Sequence, residues 1–456
     1  MRNDFPSANR LALHNREKAH PRFFFLNMRS LILSVLTFVL CAQLGAGGEY
    51  QARDYLTPGS KFAGATSDKS HRFRIRTITA GVNLRSTDDV ATIDSAIEFL
   101  LTAKRKFEAA GYEIQTLRIA TQPFEEYLNG KSRQAALTDL KRIDDVVAAK
   151  GVLLSLGPVI TDDRHDLDFP SWATQLVQQT RNINFSVVVA SPERGIHSRT
   201  AQTAAEAIVA ISKASPGGEG NFRFSAAANC LAGTPFFPVA YHRGPAAFSI
   251  GLESPGLLQQ AFSEARDIDD AKARLRVLLE SELGPVETIA LGIAQNAHRA
   301  YLGIDTSPAP AKDASIGAAI EALTRLPFGS ASTLAACAAI TDVLKSLKIK
   351  TCGYSGLMLP VLEDPVLATR AAEGRYSVRE LLLYSSVCGT GLDVVPLAGD
   401  TSAGQLAALI RDVAALSTKL HKPLSARLFL IPGKKAGDHA EFSNPFLTSS
   451  VVMKFD

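Results

Sequence analysis

From Arg74 onward the chain alternates short β-forming runs with longer stretches whose apolar residues recur at helical spacing, and this alternation restricts the fold more than any other feature. Arg74-Ile-Arg-Thr-Ile-Thr-Ala-Gly-Val-Asn-Leu84 interleaves β-formers with polar residues and reads as a strand. Asp88 to Gly111 carries Ile93, Ile97, Leu100, Leu101 and Phe107 at helical spacing and stops at a glycine. A strand at Glu113 to Ile119 completes a βαβ unit, the signature of a parallel sheet. The pattern recurs: helix 135–150 with strand 151–157, helix 172–180 with strand 185–190, and helix 197–212 with strand 222–230. Leu231 to Pro238, with two prolines, is irregular. A strand over 246–253 is followed by helices over 255–266, 267–283 and 286–301, a proline-held loop at 306–313, and a helix from Ser315. Helix 401–415 and strand 424–432, with Arg427 inside it, close an α/β fold.

The segment before Arg74 is of a different kind. Met28-Arg29, the apolar run Leu31 to Leu44 and the small residues Gly45 to Gly48 fit a secretory signal peptide, in a run short for a bilayer span. The expectations are Met28 as the start, cleavage near Ala46 to Gly48, and a periplasmic or secreted protein with no stable membrane span; an uncleaved anchor is the alternative. Domain organisation then follows: 1–48 extension and signal, 49–73 linker, 74–456 one α/β domain. With 46% apolar and 21% charged residues the chain has the composition of a folded protein, and a net charge of +4 gives no support to nucleic-acid binding. Removing Cys41 leaves Cys230, Cys337, Cys352 and Cys388, expected mainly as buried thiols, with Cys352 and Cys388 the one plausible disulfide pair.

Two turns carry the candidate chemistry. Ser385-Ser-Val-Cys-Gly-Thr-Gly-Leu-Asp-Val-Val-Pro396 sets Cys388 and Asp393 about a flexible glycine turn, and Cys352 to Asp364 repeats the arrangement, which suggests one shared pocket. His242, after a strand, is either a general base or metal ligand, or a histidine bonded to backbone. Asp313 follows two prolines that fix its position. Asp393, between Leu392 and Val394, is either catalytic or a buried acid paired with an arginine. Cys388 is either a nucleophile or a core cysteine; no Cys-His motif accompanies it. Gly329-Ser-Ala-Ser-Thr333 opens a helix with hydroxyls, either as an anion site or as ordinary capping. Glu363-Asp364 either binds a metal together with His242 or is a plain helix start before proline. No CxxC, Walker or dinucleotide motif is present, so a structural zinc site, ATP and NAD are not implied, and no cofactor is expected.

Arg76 to Asn83, Ala226 to Asn229 with Pro235-Phe236, Ala240-Tyr-His-Arg-Gly244, Ser254-Pro-Gly256, Ser307 to Pro310, Gly356 to Asp364, Cys388 with Gly391-Leu-Asp393, and Val452-Met-Lys454 together resemble domain-of-unknown-function family 711, from about Arg74 to Asp456. The resemblance implies a fold similar to that of pyruvate formate-lyase, a barrel of two parallel half-sheets with its site inside. The tail lacks an Arg-Val-Ser-Gly-Tyr motif and has no glycine after Gly437, so glycyl-radical chemistry is rejected. Family members are mostly intracellular, and export is a departure from them.

Two functions are carried forward. One is a cofactor-independent acid/base enzyme in which His242, Asp313, Asp393 and Cys388 act on a small polar or anionic substrate held by Asn229, Ser254, Ser330, Ser332 and Ser355. The other is a non-catalytic small-molecule binder. A cavity joining His and Asp supports the first, and one lined by Ser, Asn and aromatic residues the second. A homo-oligomer is compatible with either.

Overall fold

The computed structural model describes residues 73–455. In chain order β1 (Arg74–Val82), α1 (Val90–Ala109), β2 (Ile114–Thr121), α2 (Arg133–Ala148), β3 (Val152–Ile160), α3 (Phe169–Gln179) and β4 (Ile183–Ser191) repeat the strand-helix unit. The short β5 (Gly195–Ile196) precedes α4 (Ser198–Ala214) and β6 (Phe224–Ala228). Then come β7 (Ala247–Glu253), α5 (Pro255–Ser263), α6 (Ile268–Ala297), β8 (Ala300–Pro308), α7 (Ile316–Thr324), α8 (Thr333–Lys345), α9 (Pro365–Ala372) and α10 (Val378–Tyr384). The last elements are β9 (Gly391–Ala398), α11 (Ala403–Leu420), β10 (Leu424–Ile431) and the paired β11 (His439–Ala440) and β12 (Ser450–Val451).

Among the described residues, ten strands form one mixed sheet in the order β8-β7-β1-β2-β3-β4-β6-β10-β9, with β5 on β4. β1, β2, β3, β4 and β6 are parallel. β7 meets β1 and β10 meets β6 in antiparallel register, each bringing a parallel neighbour, β8 and β9. The sheet is therefore mostly parallel with helices around it, as the alternation of patterns requires.

The two faces differ in chemistry. Ile75, Ile78, Ala80 and Val82 of β1 join the large apolar core together with α1, which buries Ile93, Ile97, Leu100 and Phe107 behind an Asp89 cap accepting Thr92 N–H. A bulge between Ile75 and Thr77 restores the alternation after Arg76, leaving Arg76, Thr77 and Thr79 buried on polar partners. Segments 230–243 and 351–364 contribute to a separate small cluster of Ala227, Phe236, Val239, Ala309, Tyr354 and Met358.

Three elements differ from the sequence reading. The expected helices 267–283 and 286–301 are one helix, α6, containing Pro285. Pro285 and Ser281 lie on the exposed side of the helix, where the hydrogen bond that proline cannot donate to the Ser281 carbonyl is cheapest to lose. The helix ends at left-handed His298, and Ala300–Pro308, read as helix end and loop, is β8, held between β7 and the Lys350–Cys352 backbone. The turn expected to run through Asp393 stops at Gly391, where β9 begins. The signal segment, Met28 and Cys41 lie outside the described residues.

Candidate functional site

Charged side chains of β1, β7, β9 and β10, with Glu363 of the 351–364 segment, form a continuous and largely buried chain. Arg74 Nε lies 2.7 Å from Glu253 Oε1, and Glu253 Oε2 accepts Arg76 Nη1 at 2.8 Å. Arg76 Nη2 donates to Glu363 Oε2 at 2.8 Å, whose Oε1 accepts Arg427 Nη2 at 2.6 Å. Arg427 Nε reaches Asp393 Oδ1 at 2.7 Å. Burial pushes the Asp393 carboxyl up against the pull of Arg427, and the Arg427 guanidinium, for which burial works the other way, is held up by its two acids. Such a network has every acid committed to an arginine, and its removal one partner at a time leaves a buried charge.

Arg118 of β2 stands beside this chain without an acid of its own. Its Nε donates to Thr116 Oγ1 at 3.2 Å, its Nη1 points at Pro235 O at 3.5 Å, and its guanidinium stacks 4.9 Å from the Phe237 ring centroid. The segment carrying Pro235 and Phe237 crosses the polar face. Thr79 Oγ1 donates to Pro235 O, and Ser155 Oγ to Ala240 O at 2.7 Å, so three strands grip it.

At the carboxyl ends of β2, β3, β4 and β6 lies a cavity of about 290 Å³, lined by Thr161, Ser186, Ser191, Asn229, Cys230 and Tyr241, with Glu193 and Arg243 among its other walls. Parallel strands collect ligand sites at this end. Two of its lining residues carry a buried polar atom without a partner, Ser186 Oγ and Asn229 Oδ1. Asn229 is fixed in the left-handed region at φ 52°. Its Nδ2 donates to Ser417 Oγ at 2.9 Å, and that hydroxyl has the Ala228 and Lys422 carbonyls as its own acceptors. A second cavity of about 250 Å³ shares Pro192, Asn229 and Leu231 and adds Thr418, His421 and Lys422. Thr418 Oγ1 is likewise buried and unpartnered.

The residues chosen from sequence are dispersed. Asn229 lines both cavities. His242 is buried between two lining residues, Tyr241 and Arg243, but its Nε2 bonds to Gly244 O at 3.0 Å and its Nδ1 abuts Gly81. Burial pushes its imidazole below the ordinary histidine range. Asp313 is exposed and clasps Arg74 at 2.5 and 2.6 Å. Asp393 is in the charged chain. Cys388 is fully buried in the large core, its carbonyl accepting Lys422 Nζ at 2.6 Å. The four cysteines Cys230, Cys337, Cys352 and Cys388 are free thiols, so Cys352 and Cys388 are not joined. Ser254 precedes α5 with its hydroxyl buried and unpartnered. Ser330 and Ser332 precede α8, where Ser332 is exposed and makes no side-chain cap, while Thr333 Oγ1 accepts Gly329 N–H at 3.1 Å. Ser355 accepts Thr306 N–H and donates its hydroxyl to Cys352 O. Neither of these two cavities is lined by His242, Asp313, Asp393 or the 329–333 turn.

The two glycine turns do meet. Gly389 N–H donates to Leu357 O at 2.7 Å, and a Cβ on Gly356 would stand 2.6 Å from Gly389 Cα. Sequence reading passed over Asp305, whose carboxylate accepts Ser307 Oγ at 2.6 Å and the N–H groups of Ser307, Tyr354 and Ser355 at 3.1, 2.8 and 2.9 Å. Burial raises its carboxyl despite those donors. It passed over Arg118 as well; the one available signal was a second arginine alternating with β-formers beside the Arg76 strand. Among the described residues no three of His, Cys, Asp and Glu converge as metal ligands would.

Comparison with known proteins gives concordant matches. The sequence model of the family described as uncharacterised ACR (DUF711) matches residues 69–443. A UPF0210 protein of Pyrobaculum islandicum is 30% identical over 395 residues, covering 80% of this chain and 86% of its own. Those of Pyrobaculum aerophilum and Oenococcus oeni are 28% and 25% identical, covering 80% and 81% of this chain and 86% and 88% of theirs.

Proposed function

Since the chain belongs to the uncharacterised ACR (DUF711) family, whose description names no activity, we propose from geometry that it binds a small polar molecule in the cavity at the ends of β2, β3, β4 and β6. The observation that carries this is the pair of buried, unpartnered atoms on residues lining that cavity, Ser186 Oγ and Asn229 Oδ1. An orphaned acceptor costs about 1–3 kcal/mol, and a ligand that offers Asn229 a donor removes that cost. The ligand therefore carries at least one N–H or O–H group. A binder is favoured over an acid/base enzyme built on Asp313 and Asp393 because hydroxyl, amide and aromatic groups line the cavity beside Glu193 and Arg243, while Asp313 and Asp393 are committed to Arg74 and Arg427.

A metabolite-library thermal-shift screen on wild type, Ser186→Ala and Ser186→Val tests this. A compound that stabilises wild type, with a weakened effect in Ser186→Ala and none in Ser186→Val, supports the reading. A compound that stabilises all three equally assigns its site elsewhere and overturns it. The same proposal includes a sheet closed into a pyruvate formate-lyase-like barrel through residues 351–360, and export of the mature chain after Gly45 to Gly48. Mass spectrometry of the natively expressed protein decides the second: an intact N-terminus in the cytosol refutes it.

A further inference from the structure

The cavity at the ends of β2, β3, β4 and β6 holds a pair of groups that binding alone does not use. Ser191, the last residue of β4, lines that cavity, and its Oγ lies 3.4 Å from Nε2 of His197. The other ring nitrogen fixes the roles. His197 Nδ1 is 3.1 Å from Val188 O, and a carbonyl only accepts, so Nδ1 carries the proton and, in the neutral ring, Nε2 presents its lone pair to the hydroxyl. Arg194 N–H donates to Ser191 Oγ at 3.3 Å, a bond that leaves the hydroxyl proton for Nε2. The short β5 folds back on β4, pairing Gly195 with Ser191 and Ile196 with Ala190, which returns His197 to the end of the strand. There the imidazole is fully buried at the start of α4, and the His197 backbone N–H donates to Val189 O at 2.8 Å. A histidine with only a structural task would need the Nδ1 contact alone.

A hydroxyl, a base within reach of it and a third group that orients the base are the parts of an activated nucleophile, and such pairs are often loose until substrate is bound. Cys230, the thiol on the same cavity, is not so equipped. Its partners are the Ala228 and Leu424 carbonyls and Tyr354 Oη, and burial pushes it up to about 12. Donors for an oxyanion come from two lining residues: among the described residues Glu193 N–H and Arg243 Nε make no hydrogen bond, while Arg243 Nη1 and Nη2 hold Glu126. Val188 O orients the ring but, being neutral, does not stabilise an imidazolium as a carboxylate does, which suits an ester better than an amide. We propose that Ser191 is a nucleophile, with His197 as its base, for hydrolysis of a small carboxylic ester; the proposal rests on the reading of this cavity as the binding site. Ser191 Oγ bonds to the ester carbonyl carbon as its proton passes to His197 Nε2. The carbon–oxygen bond to the alcohol then breaks, and Nε2 gives the proton to the departing alkoxide. Water, losing a proton to Nε2, attacks the acyl-serine; the carboxylic acid leaves, and Nε2 returns the proton to Ser191 Oγ. Nothing is oxidised or reduced.

The test is labelling and turnover in the full chain. Wild type is treated with phenylmethylsulfonyl fluoride and the modified residue is located by peptide mass spectrometry, while hydrolysis of p-nitrophenyl acetate is followed in wild type, Ser191→Ala and His197→Asn. Asparagine can place its amide nitrogen where Nδ1 stands, keeping the bond to Val188 O and removing the base. The sulfonyl group is expected on Ser191, with hydrolysis lost in Ser191→Ala and reduced at least about 100-fold in His197→Asn. Unmodified Ser191 in wild type overturns the proposal, and this result does not depend on how either variant folds. Undiminished hydrolysis by Ser191→Ala overturns it too, as does labelling of Ser191 in His197→Asn at the wild-type rate. A compound from the metabolite screen whose effect depends on Ser186, with Ser191 left unmodified, keeps the cavity as a binding site and overturns the catalytic step alone.

Discussion

Glu363 stands between two arginines, and its environment sets what its loss does. Each carboxylate oxygen serves one guanidinium, Arg76 and Arg427, with all three side chains at most 8% exposed. In Glu363→Gln one arginine would face an amide N–H in place of an oxygen, and the expected loss is about 3–5 kcal/mol in urea unfolding. Asp313 makes two short contacts with Arg74 but is 69% exposed, so Asp313→Asn is expected to cost less than about 1 kcal/mol. If both substitutions cost the same, burial does not govern this network. His242 gives the pH dependence. Its folded value lies below the ordinary 6.5, so its contribution is fully present above that pH and lost as pH falls through the folded value. Between pH 7.5 and 5.5 wild type should lose more unfolding free energy than His242→Gln; equal losses would show that His242 takes up its proton in the folded protein. At this scale the sequence made single groups legible and their partners not. Asp393 was recognisable as an acid in apolar surroundings, but Arg427 lies in another strand, and strand order decides who meets whom. Asp313 drew notice for its prolines, while Arg74 holds it at the surface.

Strands and helices were more legible because each depends on local pattern. The first four strand-helix repeats fall where periodicity put them, with ends within a few residues. β8 escaped because Gly303 and Asp305 break its β-forming run, and both are needed by what lies above: a Cβ on Gly303 would stand 2.6 Å from Lys350 O, and Asp305 holds the turn at Tyr354 and Ser355. α6 was cut in two by a proline that an exposed helix face tolerates. The packing of β1 under His242 yields a prediction at this scale. A Cβ on Gly81 would overlap the imidazole, 2.7 Å from Cγ. Gly81→Ala should therefore destabilise by roughly 2 kcal/mol or more through overpacking. The double variant with His242→Ala should recover part of the loss, since the alanine methyl then enters the vacated space. Simple additivity in a double-mutant cycle would exclude this contact as the cause.

For the whole molecule the open question in physical terms is what terminates the two sheet edges, since an uncovered edge exposes backbone donors and acceptors. On the β8 side Ile304 N–H donates to Lys350 O at 2.8 Å and Cys352 N–H to Ile304 O at 3.1 Å. On the β9 side Val361 N–H donates to Asp393 O at 3.2 Å, next to a parallel bridge from Pro360. Between these points the segment is held by Tyr354, whose N–H bonds to Asp305 and whose hydroxyl bonds to Ser425 of β10 at 3.0 Å, and by Leu357 O against Gly389 N–H. One segment thus touches both edges, which is the support for a closed barrel. If closure is real, the Cys352, Val361 and Gly389 amides should exchange with solvent as slowly as those in the middle of β2 and β3, because opening either edge would break the sheet as a unit. Gly356→Ala sharpens the test, since its Cβ would meet backbone on Gly389 that no rotamer change can relieve. It should speed exchange at all three amides and, by a similar factor, at the amides of β2 and β3. Fast exchange at Val361 in wild type, with Cys352 protected, would mean that the segment pairs with β8 alone and that the sheet is open at β9.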